Sequence, residues 1–138
     1  MTRKKFLFLR LFYNKVMSEH YELGKRGEEE ATKFLQEKGF YIMHRNWRSG
    51  KKELDIVARD DEEVVFVEVK SRRNTDYGRP EDAIDAQKIR HIVSSADAYV
   101  RKYRVDLPIR FDIVTVVGNE PPYEIEHIPD AFLPPIWR

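Results

Sequence analysis

Residues 53–57 and 64–70 each combine a strand-like apolar pattern with ionisable side chains at alternate positions. The acidic residues 60–63 lie between them and are unsuited to a core, so the two segments predict a β-hairpin. Alternate residues of a strand point to the same face, so the ionisable groups of each strand share one face. That face would carry Glu53, Asp55, Glu68 and Lys70.

The register of this hairpin creates an electrostatic conflict. With residues 60–63 as the loop, counting back along both strands places Asp55 opposite Glu68 and Glu53 opposite Lys70. Like charges about 5 Å apart on opposed positions destabilise a sheet. The other face would be wholly apolar, with Leu54, Ile56, Ala58, Val65, Val67 and Val69.

A divalent cation would remove the repulsion between the two carboxylates. Hard carboxylate oxygens suit Mg²⁺ or Mn²⁺, which bind one or two carboxylates and retain waters. Lys70, on the same face, could orient or deprotonate a metal-bound water. The alternative is that these charges only line a solvated sheet face, as in many antiparallel sheets.

The composition limits the class of protein. A chain of 138 residues has the length of one domain, and it contains no cysteine, which excludes disulfides, thiolate metal sites and cysteine nucleophiles. The net charge is only +1, so any binding of phosphate requires local segregation of basic residues. No segment is long and apolar enough to span a membrane, and we expect a cytoplasmic protein.

The first seventeen residues differ from the rest. Basic residues 3–5 precede the apolar residues 6–9, as at the start of a signal peptide, but Arg10 interrupts the run and no cleavage site follows. We therefore predict an N-terminal extension of residues 1–17 and a single domain of residues 18–138. A membrane-surface helix is the less favoured interpretation of the extension, so membrane association is not expected.

The remaining pattern predicts the element order αβββαββ. A first helix is expected over residues 23–38, with Glu28 on its inward face and Gly24 and Gly27 allowing close approach of a neighbouring group. The expected strands are residues 40–45, the two hairpin strands, 109–117 and the edge strand 123–128, with residues 46–52 as a turn. Asp85 should cap a long helix over residues 86–103. This helix permits a parallel crossover, so we predict an α/β fold with a mixed central sheet flanked by helices.

The ordered acidic residues and their flanking motifs resemble a known family. Glu28, Asp55 and Glu68-Val69-Lys70 resemble the PD-(D/E)xK, or restriction-endonuclease-like, superfamily. The chain is more closely similar to the YraN family, which is related to archaeal Holliday-junction resolvases, over about residues 23–132. The supporting motifs are residues 24–28, 45–48, 53–57, 66–72, 78–80, Lys88 and 110–112. Lys52 departs from the pattern, because such sequences usually carry glycine there.

The resemblance implies a metal-dependent hydrolysis of phosphodiester bonds. Its implied catalytic residues are Asp55, Glu68, Lys70, Glu28 and Glu53. The implied ligands of Mg²⁺, or Mn²⁺, are Asp55, Glu68 and the carbonyl of Val69, with Glu28 holding a metal-bound water or a second metal. Lys70 would position the attacking water, and Glu53 would assist. The implied reaction is in-line attack with the metal as Lewis acid.

Basic residues cluster in the segments that lead into and out of the hairpin. Those expected to contact nucleic acid are Arg45, Arg48, Lys51, Lys52, Arg72, Arg73, Arg79 and Lys88. Trp47 and Tyr77 could stack on a base, although Trp47 better suits the core. No motif for base readout is evident, so recognition of DNA shape, such as a branch or flap, is the hypothesis.

Three functional hypotheses follow. The first is a Mg²⁺-dependent, resolvase-like endonuclease acting on DNA, with RNA as an alternative substrate. The second is a nucleic-acid-binding protein of the same fold that does not cleave. The third is a membrane-surface or interaction module that uses the N-terminal segment. Resolvases cut two strands symmetrically, so the resemblance also implies a homodimer.

Overall fold

The computed structural model describes residues 2–76 and 78–133, and the predicted element order is confirmed. Tyr77, proposed above to stack on a base, lies outside the described residues. The elements are α1 (Arg3–Glu37), β1 (Tyr41–Ser49), β2 (Lys52–Arg59), β3 (Val64–Arg72), a short 3₁₀ helix (Pro80–Ala83), α2 (Ala86–Tyr103), β4 (Ile109–Val117) and β5 (Glu124–Ile128). Within the described ranges, no helix is both long enough and apolar enough to cross a bilayer.

The five strands form one mixed sheet in the order β1-β2-β3-β4-β5. Strands β3 and β4 are parallel, and every other neighbouring pair is antiparallel. The parallel pair requires a crossover connection, which α2 supplies. The predicted mixed sheet is therefore confirmed, with β5 at one edge and β1 at the other.

The two faces of the sheet bury separate apolar clusters. One cluster joins the sheet to α2 and contains Trp47, Leu54, Val57, Val64, Phe66, Ile92, Val93, Ala96, Tyr99 and Phe111. The other joins the sheet to α1 and contains Ala31, Leu35, Ile56, Ala58, Val65, Val67, Val114 and Val116. The expectation that Trp47 belongs to the core is confirmed. The molecule therefore has three layers, with one long helix on each face.

The first helix begins twenty residues earlier than predicted, at Arg3 instead of residue 23. Residues 3–22 contain neither glycine nor proline, and the side chain of Thr2 caps the helix by accepting a hydrogen bond from the Lys5 N–H at 3.4 Å. Sequence periodicity missed this part because residues 3–15 are exposed all round and show no buried face. The division at residue 17 stays a prediction.

The first strand also extends further than predicted. Residues 46–49 were expected in a turn, but β1 continues to Ser49, which pairs with Lys52 across a two-residue turn. Gly50 in that turn has a positive φ of 60°, which glycine adopts without strain. The longer strand places Asn46 and Trp47 within the sheet.

The predicted hairpin register is confirmed for the residue pairs nearest the loop, whereas the sheet face predicted for Leu54 is wrong. Arg59 pairs with Val64, Val57 with Phe66, and Ile56 with Val67. The described ladder ends there, so Asp55 and Glu68 do not form the backbone pair that the register predicts. The side chain of Asp55 instead accepts a hydrogen bond from the Val69 N–H at 2.9 Å.

Leu54 packs on the α2 side, whereas Ile56 packs on the α1 side, contrary to the predicted alternation. The change of face falls at Asp55. Asn46 lies opposite Asp55, because the residues on either side of it pair with Ile56 and Leu54. Its φ of 49° lies in the left-handed region. This conformation rotates the strand and carries Trp47 to the α2 side with Leu54. Asp55 consequently lies at the position where the side chains of β2 change from one face of the sheet to the other.

The close approach predicted for α1 occurs at Gly27. A Cβ atom at Gly27 would overlap Ser71 Oγ and lie 2.9 Å from Ser71 Cβ, whereas one at Gly24 would meet nothing within 4 Å. We expect Gly27→Ala to lower the free energy of unfolding by about 1–3 kcal/mol through overpacking. Gly24→Ala, the matched control, should raise it by about 0.5–1 kcal/mol through helix propensity. Urea denaturation measures both, and equal effects of the two variants would contradict this packing.

Candidate active site

A cavity of about 750 Å³ opens between α1 and the sheet at the place where Asp55 changes face. Helix α1 contributes Glu28, β2 contributes Asp55, and β3 contributes Val69 and Lys70. The cations Lys25, Arg45, Arg48 and Arg72 also line this cavity. An acidic floor is therefore surrounded by basic side chains, although the net charge of the chain is only +1.

Asp55 is the central acid of the cluster. Burial raises the pKa of its carboxyl, and this effect outweighs the Val69 N–H and the charge of Lys88, which lower the pKa. The charge of Asp55 in turn raises the pKa of Glu28 and of Glu68. The three carboxyls thus form one electrostatic unit with Asp55 in the middle.

Glu28 and Glu68 are both buried beside Asp55. Burial, with the charge of Asp55 as the second cause, raises the pKa of each from 4.5 to about 7. Glu28 approaches from α1, while Glu68 extends towards α2, where Lys88 Nζ lies 3.4 Å from its Oε1. Because β2 changes face at Asp55, this carboxyl has Glu28 as its acidic neighbour on the α1 side and Glu68 on the α2 side.

Glu28 carries an unsatisfied oxygen. Its Oε1 is buried and has no hydrogen-bond partner among the described residues, although Arg45 Nε lies 3.9 Å away. A buried oxygen without a partner costs free energy. A cation or a water bound in the cavity would satisfy it.

The chemistry of these donors fits a hard divalent cation. The charge of Asp55 acts on both Glu28 and Glu68, and one oxygen of Glu28 lacks a partner, so a cation would relieve both costs. In the described part of the chain, however, no three His, Cys, Asp or Glu residues are arranged to hold a single ion together. Mg²⁺ needs only one or two carboxylates with waters, so Asp55 and Glu68, with the Val69 carbonyl, are a sufficient set.

Seven residues predicted for the site lie outside the cavity lining: Glu68, which extends towards α2, the exposed Lys51, and Glu53, Lys52, Arg73, Arg79 and Lys88. Glu53 is exposed, and its backbone N–H donates to Ser95 Oγ on α2. Four of these basic residues contact other side chains: Lys52 contacts Ser94, Arg73 contacts Glu19, Arg79 contacts Glu81 and Lys88 contacts Glu68. Of the basic residues predicted to contact nucleic acid, Arg45, Arg48 and Arg72 line the cavity.

The cavity also contains residues that sequence reasoning missed. His20, Tyr21 and Lys25 line it from α1, and Asn46 lines it from β1. The three helical residues precede Glu28 by eight, seven and three positions, a spacing that shares one helix face. The predicted helix began at residue 23, so this periodicity was lost for the first two.

We expect the stability of the metal-free protein to fall as the pH rises from about 4.5 to above 7. In this window the folded state keeps protons on Glu28 and Glu68 that the unfolded state releases, so rising pH favours unfolding. One pKa unit corresponds to about 1.4 kcal/mol, so each of the two shifts is worth roughly 3 kcal/mol and the total loss should be several kcal/mol. Urea denaturation at about pH 5 and pH 8 measures it.

The double variant Glu28→Gln, Glu68→Gln is the control for that titration. It cannot lose a proton at either position, so most of the pH dependence in this window should disappear. A variant that keeps the full wild-type pH dependence would place the responsible groups elsewhere.

The fold and site together define a three-layer α/β protein in which buried carboxyls underlie a basic cavity. The chain belongs to the uncharacterised protein family UPF0102, which it matches over residues 27–116. This range contains Glu28, Asp55, Glu68, Lys70 and Lys88. The family relationship indicated by the motifs is therefore confirmed at the level of UPF0102.

Several relatives are similar over nearly their whole length. A UPF0102 protein of Phocaeicola vulgatus is 60% identical over 121 residues, which cover 88% of this chain and 100% of the relative. A UPF0102 protein of Bacteroides thetaiotaomicron is 51% identical over the same coverage. One from Flavobacterium psychrophilum is 43% identical over 116 residues, 84% of this chain and 98% of the relative.

Proposed function

We propose that this protein is a metal-dependent endonuclease of the PD-(D/E)xK type that hydrolyses phosphodiester bonds in DNA. The observation that carries the proposal is the position of Asp55 between Glu28 and Glu68, at the floor of a cavity lined by Lys70 and three arginines. Acidic side chains whose charges interact this strongly favour a bound cation, and the surrounding arginines favour a polyanion.

Five residues in or beside the cavity would have distinct parts in such a reaction. A divalent cation held by Asp55, Glu68 and the Val69 carbonyl would supply Lewis-acid activation of water and phosphate. Lys70 lines the same cavity and can hold the attacking water and offset charge on the phosphate. Glu28, whose pKa is about 7, can take up a proton near neutral pH.

The substrate is inferred from charge and shape. Arg45, Arg48 and Arg72 surround the acidic floor and can bind phosphates on either side of the reacting one. These contacts carry no base sequence, so selectivity would come from the shape of the nucleic acid. We propose branched or flapped DNA as the substrate, and a homodimer where two strands are cut symmetrically.

A non-cleaving nucleic-acid-binding protein is the second candidate. The ion pair between Lys88 and Glu68 favours it, because an ammonium group already neutralises one of the proposed metal ligands. Such a protein would bind nucleic acid equally well with and without divalent metal.

Cleavage assays test the proposal directly. Branched, flapped and linear DNA, and RNA of matched sequence, are incubated with Mg²⁺, Mn²⁺ or a chelator. We expect metal-dependent cleavage, with branched or flapped DNA cut fastest. Binding without cleavage in either metal would support the second candidate, and cleavage of RNA alone would replace the substrate.

A further inference from the structure

Lys88 was predicted to contact nucleic acid. In the structure its ammonium group lies beside the carboxylate of Glu68. Lys88 lies in the first turn of α2, where its backbone N–H donates to the capping Asp85 Oδ1 at 2.8 Å. Its Nζ lies 3.4 Å from Glu68 Oε1. The cap fixes where the lysine side chain starts, and the side chain then reaches the buried acid of β3.

This contact places a positive charge against the carboxyls from the side opposite the cavity. The charge of Lys88 lowers the pKa of both Asp55 and Glu68, and at both residues its effect exceeds that of the charge of Lys70. Lys70 lines the cavity, where a substrate would enter, whereas Lys88 extends from α2 on the other face. The two lysines therefore have different surroundings and different roles.

The Lys88 side chain is also able to leave. It is 31% exposed, whereas the Glu68 side chain is 8% exposed, so the ammonium can move to water while the carboxylate stays buried. The separation of 3.4 Å is longer than a good charge-assisted hydrogen bond, so the pair is not locked by ideal geometry. A divalent cation, with twice the charge, can displace it.

We infer that Lys88 is a resident counter-ion of the Asp55–Glu68 pair, which competes with a divalent metal and thereby sets the metal affinity of the site. The inference rests on the proposed function, because it takes Asp55 and Glu68 as the metal ligands. In the metal-free protein, Lys88 limits the repulsion between the two acids. When metal binds, the ammonium no longer has a favourable position beside Glu68 and moves to solvent.

Mn²⁺ binding to Lys88→Met tests this inference without any measurement of cleavage. Electron paramagnetic resonance of free Mn²⁺ gives the dissociation constant of the full-length wild type and variant. Methionine keeps an unbranched side chain, one atom shorter than that of lysine, and removes its charge, so we expect binding to be roughly tenfold tighter or more. Arg90→Met, an exposed change two residues along the same helix, is the matched control and should bind as the wild type does.

Thermal denaturation gives a second and independent measurement. Without metal, Lys88→Met should melt below the wild type, because Asp55 and the buried Glu68 lose their counter-ion. Saturating Mn²⁺ should raise its melting temperature by more than it raises that of the wild type. Lys88→Gln is measured in parallel, so that a folding defect specific to methionine cannot decide the result.

The outcomes separate this inference from the proposed function. Equal or weaker Mn²⁺ affinity in both Lys88 variants would overturn the counter-ion role and leave the metal site in place. No Mn²⁺ binding by the wild type or by either variant would overturn both, because removal of a competitor would then reveal no site. Tighter binding in both variants but not in Arg90→Met establishes the competition.

Discussion

Asp55→Asn will lower metal-dependent DNA cleavage by about a thousandfold or more if the proposed site is correct. Asparagine has the same shape and can still accept the Val69 N–H through its oxygen, so the local backbone should be kept. It removes the negative charge that lies between Glu28 and Glu68. The loss should therefore appear in the rate constant at saturating DNA and not in folding.

Lys70→Ala provides the companion measurement. This variant keeps all three acids, so Mn²⁺ should still bind while cleavage falls by about a hundredfold or more. Asp61→Asn, an exposed change in the β2–β3 loop, is the control for loss of one surface charge. Cleavage that survives both Asp55→Asn and Lys70→Ala would show that the reaction takes place at another site.

Asp112→Asn is expected to produce the largest loss of stability, about 3–5 kcal/mol in the free energy of unfolding. Asp112 is completely buried in β4 and accepts four hydrogen bonds. Arg110 donates two, from Nε at 2.8 Å and Nη2 at 2.9 Å, and the Asp130 N–H donates one at 2.9 Å. His127 Nε2 lies 2.7 Å from Oδ2.

The protonation of this group follows from its neighbours. Burial alone would raise the pKa of Asp112, but the hydrogen bonds from His127, Arg110 and the Asp130 N–H outweigh burial and hold the pKa below its ordinary value. With Nε2–H directed at Asp112, His127 Nδ1 accepts from Lys38 Nζ at 2.9 Å. In Asp112→Asn the side-chain NH₂ group would face these hydrogen-bond donors, and buried N–H groups would be left without acceptors.

Urea denaturation at neutral pH measures the effect of Asp112→Asn. Glu63→Gln is the control, because Glu63 contacts the same arginine at 3.2 Å but is partly exposed, so its loss should be about 1 kcal/mol or less. The stability that Asp112 provides should be lost as the pH falls below its ordinary pKa of 3.8. Equal losses for the two variants would contradict a special role for the buried carboxylate.

Local sequence determined those elements whose signals lie within a few residues. Asp85 is the N-cap of α2, which runs from Ala86 to Tyr103 as predicted. The acidic loop determined the hairpin register from Arg59–Val64 to Ile56–Val67. Periodicity also directed Glu28 inward, where it is 9% exposed. These signals suffice because helix caps, strand alternation and turns depend on short-range backbone geometry.

Tertiary structure decided which charged groups meet. Asn46 and Asp55 interrupt the alternation of the strands, which no pattern of period two could show. Lys88 reaches Glu68 across twenty positions, and Arg73 pairs with Glu19 across fifty-four. Such contacts depend on how α1 and α2 pack on opposite faces of the sheet. The sequence therefore indicated Glu28, Asp55 and Glu68, which the structure brings together, while packing decided that Lys88 of α2 lies beside Glu68.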